Sequence, residues 1–487
     1  MERIDENRVN IPTPQTDITL FANEQVYVDR ASVEEITDFA KIYDTIDKLK
    51  EVGFLNKGAG IERICLTPDF HKGAGIPIGT VFASHEFVIP KAVGSDIGCG
   101  MRFLQTNVTQ AEFETLGEKL DQHLRYIFFE GGRNIPLSPV QRRALFRHGL
   151  AGLLACYHIN EGIFEYWSDN QQVTDLAHAH MHGGIDTADI FNMDDFIKGS
   201  GLEFTRDDQI GSIGGGNHFC EYQVVLDTYD RHKAYHWGLE KGNIAIMVHS
   251  GSVGIGHVVG NHFTDLARDR YPEGLKHEHP HYLLPSIEPG DLLDQYLSAM
   301  ANAANFAFAN RLFLGLMMTR ALSEALGRKI ETRLVYDAPH NLIWEDEHER
   351  PAPAHPATLG TRYIHRKGAC PADYDMPVII PGSMGSDSFL MVGQGLEDSF
   401  CSACHGAGRT KPRQQGRSTP SEMTCRVVTK IDPRQARRDI RDDYMKSLME
   451  EAPDKYKEIG PVIQTVEGAG IARRVARTFP LLTVKGL

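Results

Sequence analysis

The sequence of 487 residues lacks any long uninterrupted apolar run. Its most apolar stretch, Leu297–Met318, is broken by asparagines and an arginine, so we expect a buried helix there and no contact with a membrane. The N-terminus has acidic residues where a signal peptide needs a basic start and an apolar segment. A long chain with eight cysteines and no such leader is expected to be cytoplasmic and to carry reduced thiols.

The sequence also lacks an excess of basic residues. Its 65 acidic and 51 basic side chains give a formal net charge of −14. A protein that binds nucleic acid through its overall charge has an excess of basic side chains instead. Binding to nucleic acid would therefore need a local basic patch. The candidates for this patch are Arg409, Lys411, Arg413, Arg417, Arg434, Arg437 and Arg438. A solvated loop and a helix surface explain these residues equally well.

Internal repeats, low-complexity linkers and the phosphate-binding pattern G-x-x-x-x-G-K-[ST] are all absent. A capping-box pattern at Thr109 and Glu112 predicts a helix that continues to Ile127, and a second helix is predicted over 291–326, ending at Gly327. Short β-type runs and helices follow one another in mixed order, which predicts a mixed α/β fold that is neither a Rossmann nor a P-loop domain. The β-type runs are Ile244–Val248, Leu334–Tyr336, Val378–Ile380 and Arg426–Lys430.

Histidine is over-represented, with 22 copies, and several histidines stand beside glycine-rich segments. Asp96 and Cys99 share a glycine-flanked turn, and this spacing lets a carboxylate and a thiolate approach one metal ion. His218, His249 and His340 are candidates for the nitrogen ligands. Such a mixture of O, S and N donors suits Mn²⁺, Fe²⁺ or Zn²⁺. Taken alone, each residue is more simply explained as a turn residue or a buried structural side chain.

Other clusters permit other chemistry. The segment Cys401–His405 has the C-x-x-C-H pattern of haem attachment and contains a possible redox pair, but neither an export signal nor a βαβ unit accompanies it. His178, His180 and His182 alternate as metal ligands on one face of a strand would, although their segment is also consistent with a helix surface. The histidines of the proline-flanked segment 277–281 are expected to be solvated.

Two glycine-rich segments are candidates for holding a nucleotide. Pro381–Ser386 and His405–Arg409 offer hydroxyl groups, backbone N–H groups and an arginine to phosphate oxygens. Because Gly-Ala-Gly follows His405, its imidazole is sterically open to attack a phosphorus atom as a nucleophile. A tight turn explains Gly406 and Gly408 equally well.

Taken in order, these motifs resemble the RtcB family of RNA ligases over about positions 55 to 487. The similarity also includes the C-terminal segment that begins at Asp454 and the final Val-Lys-Gly. The other matching segments are DFHKGAGIPIGTV, VGSDIGCGMRF, GGGNHFCE, HSGSVGIGH, AMANAANFAFANR, HN, HRKGA, PGSMGSDS and HGAGR.

The resemblance implies a single large α/β domain over 1–487, in which 1–54 precede the matched region. It further implies a ligase that uses GTP and one or two Mn²⁺ ions to join an RNA 3′-phosphate or 2′,3′-cyclic phosphate to a 5′-hydroxyl end. In this scheme His405 becomes guanylylated, GMP passes to the RNA 3′-phosphate, and the 5′-hydroxyl displaces it. The implied roles are RNA repair or tRNA splicing, with an archease-type activator as a possible partner.

The resemblance also assigns roles to individual residues. Glu221 would accept hydrogen bonds from the guanine ring and select it over adenine, and Tyr456 would pack on the base. The implied metal ligands are Asp96, Cys99, His218, His249 and His340. The implied guanylate contacts are Asn217, His218, Phe219, Cys220, Glu221, His340, Asn341, Pro381, Gly382, Ser383, Met384, Ser388, His405, Gly406, Ala407, Gly408 and Lys485.

Three departures from the family pattern leave alternatives open. Val253 stands where the common pattern has an arginine suited to an RNA phosphate, and Gly98 replaces an asparagine in the turn with the implied metal ligands. Thr410-Lys411-Pro412 alters the segment after HGAGR. None of these changes removes an implied metal ligand or the nucleophile. The alternatives are a metal-dependent hydrolase and a related protein that binds RNA ends without sealing them.

Overall fold

Strands and helices follow one another in mixed order, which confirms the predicted mixed α/β class. The structure, a computed structural model, describes residues 1–156, 161–197, 205–288, 290–346, 361–410, 425–432 and 436–486. Four members of the predicted basic patch lie outside these residues: Lys411, Arg413, Arg417 and Arg434.

The strands of the described residues are β1 Glu2–Arg3, β2 Arg8–Pro12, β3 Asp17–Phe21, β4 Gly60–His71, β5 Ile78–His85, β6 Phe87–Val88, β7 Gly100–Thr109, β8 Phe219–Thr228, β9 Asn243–Ser250, β10 Leu284–Pro285, β11 Thr332–Pro339, β12 Asn341–Glu345, β13 Arg362–Lys367, β14 Ala369–Pro371, β15 Pro377–Ile380, β16 Ser388–Gly393, β17 Ser402–Cys404, β18 Arg426–Val428 and β19 Ala472–Val484. The helices of the same residues are α1 Arg30–Ala40, α2 Ile42–Glu51, α3 Gln110–Glu114, α4 Gly117–Phe129, α5 Pro139–Cys156, α6 Asp169–His178, α7 Met193–Phe196, α8 Arg231–His236, α9 Gly254–Arg270, α10 Leu292–Leu326, α11 Arg438–Met449 and α12 Ile459–Gly468. Each predicted β-type run falls in a strand, although β18 ends at Val428, short of the predicted Lys430.

The larger sheet has the strand order β11-β7-β9-β8-β19-β16-β15, with β18 beside β19. Its antiparallel register places Gly100 opposite both Ser250 and Pro339, and Phe219 opposite His249. The starts of β7 and β8 therefore meet the ends of β9 and β11 at one edge of the sheet. This edge carries four of the predicted metal ligands: Cys99, His218, His249 and His340.

A second sheet has the order β1-β2-β3-β4-β5-β13-β12, and helices α1 and α2 pack against it. Strand β12 begins at Asn341, directly after β11 and His340, so the two sheets join beside the predicted metal ligands. Strand β4 carries Asp69 near its end. Strands β14 and β17 form a separate two-stranded sheet in which Ala369 pairs with Cys404. His405 is the first residue after β17.

Helix α10 is the apolar segment at the centre of the fold. Asp291 accepts hydrogen bonds from the backbone at its start, and Gly327, with φ of +72°, ends it as predicted. The asparagines that interrupt its apolar run are buried but bonded: Asn305 donates to the carbonyl groups of Phe146 and Ile185. In the described part of the chain, none of the helices reaches the combination of length and apolarity that crossing a membrane requires.

Gly98 is explained by the close approach of α10 to the turn that carries Asp96 and Cys99. Its φ is +73°, a conformation that favours glycine, and a Cβ atom there would lie only 2.9 Å from Cα of Ala304. Glycine at this position therefore allows the turn to pack tightly on the helix.

Two expectations need correction. The helix predicted from Thr109 has the expected capping box, but it forms as α3 and α4, because Gly117 adopts a φ of +48° between them. The expectation that the histidines of 277–281 are solvated is wrong for His279 and His281, which are buried and pack against Phe39.

Candidate metal and nucleotide site

The five predicted metal ligands converge in the structure. Sγ of Cys99 lies 3.2 Å from Nε2 of His218 and 3.3 Å from Nε2 of His249. Nε2 of His249 lies 3.3 Å from Nε2 of His340, and Nε2 of His218 lies 2.8 Å from Oδ2 of Asp96. Cys99 thus belongs to two groups of three donors, each with its donor atoms within 4.8 Å of one another.

Burial prepares this cluster for a metal ion. It lowers the pKa of His249 and of His340 well below the usual value, so both imidazoles are neutral, the form that binds metals. Oδ1 of Asp96 and Nδ1 of His340 are buried without a hydrogen-bond partner among the described residues, although such atoms normally have one. The residues therefore fit a transition metal with O, S and N ligands.

Arg311, on α10 and fully buried, holds the two loops that carry these ligands. Its Nη1 donates to the carbonyl oxygen of Gly98 at 2.6 Å and to that of Ser250 at 3.2 Å. Its Nε lies 2.8 Å from Oδ1 of Asp337, which balances the buried charge. One side chain thus fixes the turn before Cys99 relative to the end of β9.

His405 lies beside the metal cluster and against Asp69. The centroids of the His405 and His340 rings are 4.6 Å apart, and Oδ2 of Asp69 is 2.6 Å from Nδ1 of His405. Oδ1 of Asp69 accepts a hydrogen bond of 2.5 Å from the Thr67 hydroxyl. Burial alone would raise the pKa of Asp69, but His405 and Thr67 outweigh it and hold the pKa below its usual value. The carboxylate is therefore charged beside the ring.

Glycine is required in the loop after His405. The φ of Gly408 is +78°, and a Cβ atom there would lie 2.1 Å from the carbonyl oxygen of Asp69. The glycine thus allows this loop to approach the end of β4, which explains why the His-Gly-Ala-Gly pattern accompanies the Asp69 contact.

These groups open into a cavity of about 840 Å³. Most of the predicted site residues line it: Asp96, Cys99, Asn217, Phe219, His249, His340, Asn341, Pro381, Gly382, Ser383, Met384, His405, Gly406, Ala407, Gly408 and Lys485. Four predicted residues do not line it: His218, Cys220, Glu221 and Ser388. His218 still belongs to the metal group.

The other three lie behind the cavity wall. Ser388 Oγ accepts the Gly382 N–H at 3.0 Å, and Cys220 packs in the hydrophobic core. Glu221, with 3% of its surface exposed, accepts hydrogen bonds from Thr483 at 2.8 Å and from Gln223 at 2.7 Å. Burial raises the pKa of Glu221 to about 7. A direct contact of these side chains with a nucleotide stays a prediction.

The alternative metal cluster at residues 178–182 and the cysteine pair of residues 401–405 are explained by structural contacts and burial. Nδ1 of His178 lies 2.8 Å from the Leu334 carbonyl oxygen, and Nδ1 of His180 lies 2.8 Å from the Tyr336 hydroxyl. All eight cysteines are free, and burial raises the pKa of Cys404 well above the usual value, so its thiol is not a reactive thiolate. Neither cluster forms the metal group found at Cys99.

Three residues of the predicted basic patch are described in the structure: Arg409, Arg437 and Arg438. Arg409 lines the cavity, but its Nη1 lies 3.1 Å from Oε2 of Glu451 and donates to the Tyr456 hydroxyl at 3.2 Å. Arg437 and Arg438 are exposed at the start of α11. Arg409 therefore shapes the wall beside Tyr456 as part of an ion pair.

Asp69 is the main residue of the site that the sequence motifs do not identify. It lies near the end of β4, where a glycine-rich segment begins, yet no local spacing connects it to His405, 336 positions later. Tyr27 and Asp29 also line the cavity but lie outside every motif. Lys367, in the His-Arg-Lys-Gly-Ala segment, lines it as well, and burial lowers its pKa to about 8.

A histidine beside a metal-binding group suits nucleotidyl transfer or metal-assisted hydrolysis of phosphates. The family model described as "tRNA-splicing ligase RtcB" matches residues 54–486. The chain is 33% identical to the tRNA-splicing ligase RtcB of Nanoarchaeum equitans over 465 residues, covering 88% of each chain. It is 32% identical to that of Thermococcus kodakarensis, covering 100% of this chain and 99% of the relative. It is 31% identical to the RNA-splicing ligase RtcB homolog 1 of Entamoeba dispar, and the match covers 96% of this chain and 87% of the relative. The chain belongs to the RtcB family, which confirms the resemblance seen in its sequence.

Proposed function

We propose that this chain is a GTP- and Mn²⁺-dependent RNA ligase that joins 3′-phosphate or 2′,3′-cyclic phosphate ends to 5′-hydroxyl ends. Nε2 of His405 attacks the α-phosphorus of GTP and pyrophosphate leaves. The GMP group then passes to the RNA 3′-phosphate, which frees His405. The 5′-hydroxyl oxygen attacks the activated 3′-phosphate, a phosphodiester forms and GMP leaves. A cyclic phosphate is first opened by water.

The observation that carries this proposal is the contact of 2.6 Å between Asp69 and His405 beside the metal group. With the carboxylate at Nδ1, Nε2 is the ring nitrogen left for attack. The negative charge of Asp69 also stabilises the positive charge that the ring gains as the bond to phosphorus forms.

The metal group and the glycine-rich loops support the same reaction. Asp96, Cys99, His218, His249 and His340 would hold one or two Mn²⁺ ions, which neutralise phosphate charge when bound. Lys485 lines the cavity and, with its Nζ 2.6 Å from the Gly216 carbonyl oxygen, brings a fixed positive charge to the nucleotide. The substrate belongs to RNA repair or tRNA splicing, and an archease-type activator is a candidate partner.

Protein labelling with α-³²P-GTP and Mn²⁺ tests the proposal. We expect an acid-labile label on the wild-type chain, none on His405→Ala, and full labelling of a control at the exposed His277 (His277→Ala). Phosphate release from RNA without GTP and without label would instead indicate a hydrolase. Binding of RNA ends with neither activity would indicate a binding protein.

A further inference from the structure

Part of the cavity wall comes from residues that precede the region matched by the family model. That region begins at residue 54, whereas Tyr27, Asp29 and Ala31 line the same cavity as His405. Tyr27 is 50% exposed, and a tyrosine with this much uncovered surface is typical of residues that contact a binding partner. The N-terminal segment therefore contributes an open aromatic surface to the site.

The same cavity wall also includes a cationic loop, residues 72–74, which carries Lys72. The Lys72 side chain is exposed, and in the described part of the chain it makes no ion pair. A lysine in this state offers its ammonium group to an anion that enters the cavity. The wall thus combines an aromatic ring with a cation, the two features by which proteins hold single-stranded nucleic acid.

Three sets of hydrogen bonds hold this wall in place. Glu35 on α1 accepts the N–H groups of Gly73 at 2.7 Å and Gly75 at 2.6 Å, one on each carboxylate oxygen. Asp29 accepts the N–H of Ser32 at 2.9 Å and so caps α1 two residues after Tyr27. The backbone of Asn23 donates to Thr465 at 3.1 Å, which docks the segment on α12.

We propose that Tyr27 and Lys72 form a subsite for the single-stranded end of the RNA, in which Tyr27 stacks on an unpaired base and Lys72 contacts a backbone phosphate. Glu35 positions the loop that carries Lys72. This inference rests on the proposed ligase function and adds the place where the RNA end is held. Stacking on a ring tolerates any base, so the subsite recognises an unpaired end and not a particular sequence.

The test measures the affinity for a short fluorescein-labelled RNA that ends in a 3′-phosphate, beside the rate of protein guanylylation without RNA. We expect Tyr27→Ala to weaken RNA binding about 5- to 150-fold, and Tyr27→Phe, which keeps the ring, to restore it. Lys72→Gln should weaken binding and reduce the slope of log affinity against log salt by about 0.7. Both variants should lose a larger factor in RNA affinity than in guanylylation rate.

Matched controls and a modified RNA make the outcome decisive. Tyr235→Ala and Lys57→Ala, at exposed positions outside the cavity, should change neither quantity. An RNA with abasic terminal nucleotides should bind the wild type and Tyr27→Ala equally. Equal affinity of Tyr27→Ala and Tyr235→Ala for the unmodified RNA would refute the subsite. A loss confined to guanylylation would assign Tyr27 to the nucleotide instead. Absent guanylylation in the wild type, with RNA binding still lost in Tyr27→Ala, would contradict the ligase reaction and leave the subsite standing.

Discussion

Oδ2 of Asp69 lies 2.6 Å from Nδ1 of His405, although 336 positions separate the two residues in sequence. The contact joins the end of β4 to the loop after β17 and brings the second sheet to the edge of the first sheet that carries the candidate metal ligands. Asp69 is fully buried, and the His405 ring and the Thr67 hydroxyl stabilise its negative charge. The relationship gives His405 a fixed orientation and a charged partner.

Replacing Asp69 by asparagine tests this role. The amide keeps the size of the side chain but removes its charge, so we expect the guanylylation rate to fall about 100-fold or more while the Km for GTP changes little. Single-turnover labelling with α-³²P-GTP measures both quantities. A variant with an unchanged rate would show that Asp69 serves only to pack the loop, and circular dichroism would confirm that the variant is folded.

Cys99 belongs to both groups of candidate metal ligands, so its loss should affect metal binding at either group. We expect Cys99→Ser to weaken Mn²⁺ binding by more than about 10-fold, because a hydroxyl replaces the thiolate. Calorimetric titration with Mn²⁺ measures the change, and Cys156→Ser, at a half-exposed position outside the cavity, is the matched control. Equal affinity in the two variants would place the metal elsewhere.

Local patterns and long-range contacts explain which features the sequence predicted. Helix α10 was predicted because its two caps, Asp291 and Gly327, are local signals. The metal ligands were found through their motifs, yet the sheet register that brings Cys99 to His249 has no local signal. Asp69 was missed for the same reason: its partner comes from a distant loop.

The errors have equally specific causes. The apolar pattern continued across Gly117 because α3 and α4 pack against one core, so it hid the positive φ that separates them. Prolines near His279 and His281 correctly indicated a loop, but the loop packs on Phe39 and is not solvated. Sequence patterns therefore located the chain turns here better than they located the packing partners.

The raised pKa of Glu221 predicts a pH dependence. Under the proposed function its carboxylate accepts hydrogen bonds from guanine, and burial places its pKa at about 7. We therefore expect the Km for GTP to rise as the pH falls through about 7, because the protonated group loses that acceptor. Glu221→Gln should remove this step and weaken the preference for GTP over ATP. Thr483→Val removes a hydrogen bond to the charged form and should move the step to higher pH.

The same group makes a prediction for stability. The pKa of Glu221 is raised above the usual value of 4.5, so between about 4.5 and 7 the unfolded chain loses a proton that the folded chain keeps. The contribution of Glu221 to the unfolding free energy should therefore fall as the pH rises through this window and stay level above it. Chemical denaturation across this range, with Glu221→Gln as the reference, isolates the contribution. A difference between the two proteins that does not change with pH would contradict it.

Arg311 predicts a coupling between stability and metal binding. Arg311→Met leaves Asp337 with Arg102 as its remaining ion-pair partner and frees the carbonyl groups of Gly98 and Ser250. We expect the unfolding free energy to fall by about 3 kcal/mol or more. Mn²⁺ affinity should fall too, because the two ligand loops are no longer held together. Full Mn²⁺ affinity in the folded variant would show that the loops keep their positions without this residue.

Val253, where the resemblance to the RtcB family leads us to expect an arginine, offers a test of RNA recognition that separates charge from backbone strain. Its φ is +51°, a conformation that is costly for a β-branched residue, and it directly precedes α9. Val253→Gly should relieve that strain and raise the unfolding free energy by about 1 kcal/mol without changing the salt dependence of RNA binding. Val253→Arg should bind a 3′-phosphate RNA more tightly, with the slope against log salt steeper by about 0.7, because one more phosphate is neutralised. If the arginine variant binds no more tightly than the glycine variant, the RNA does not pass the start of α9.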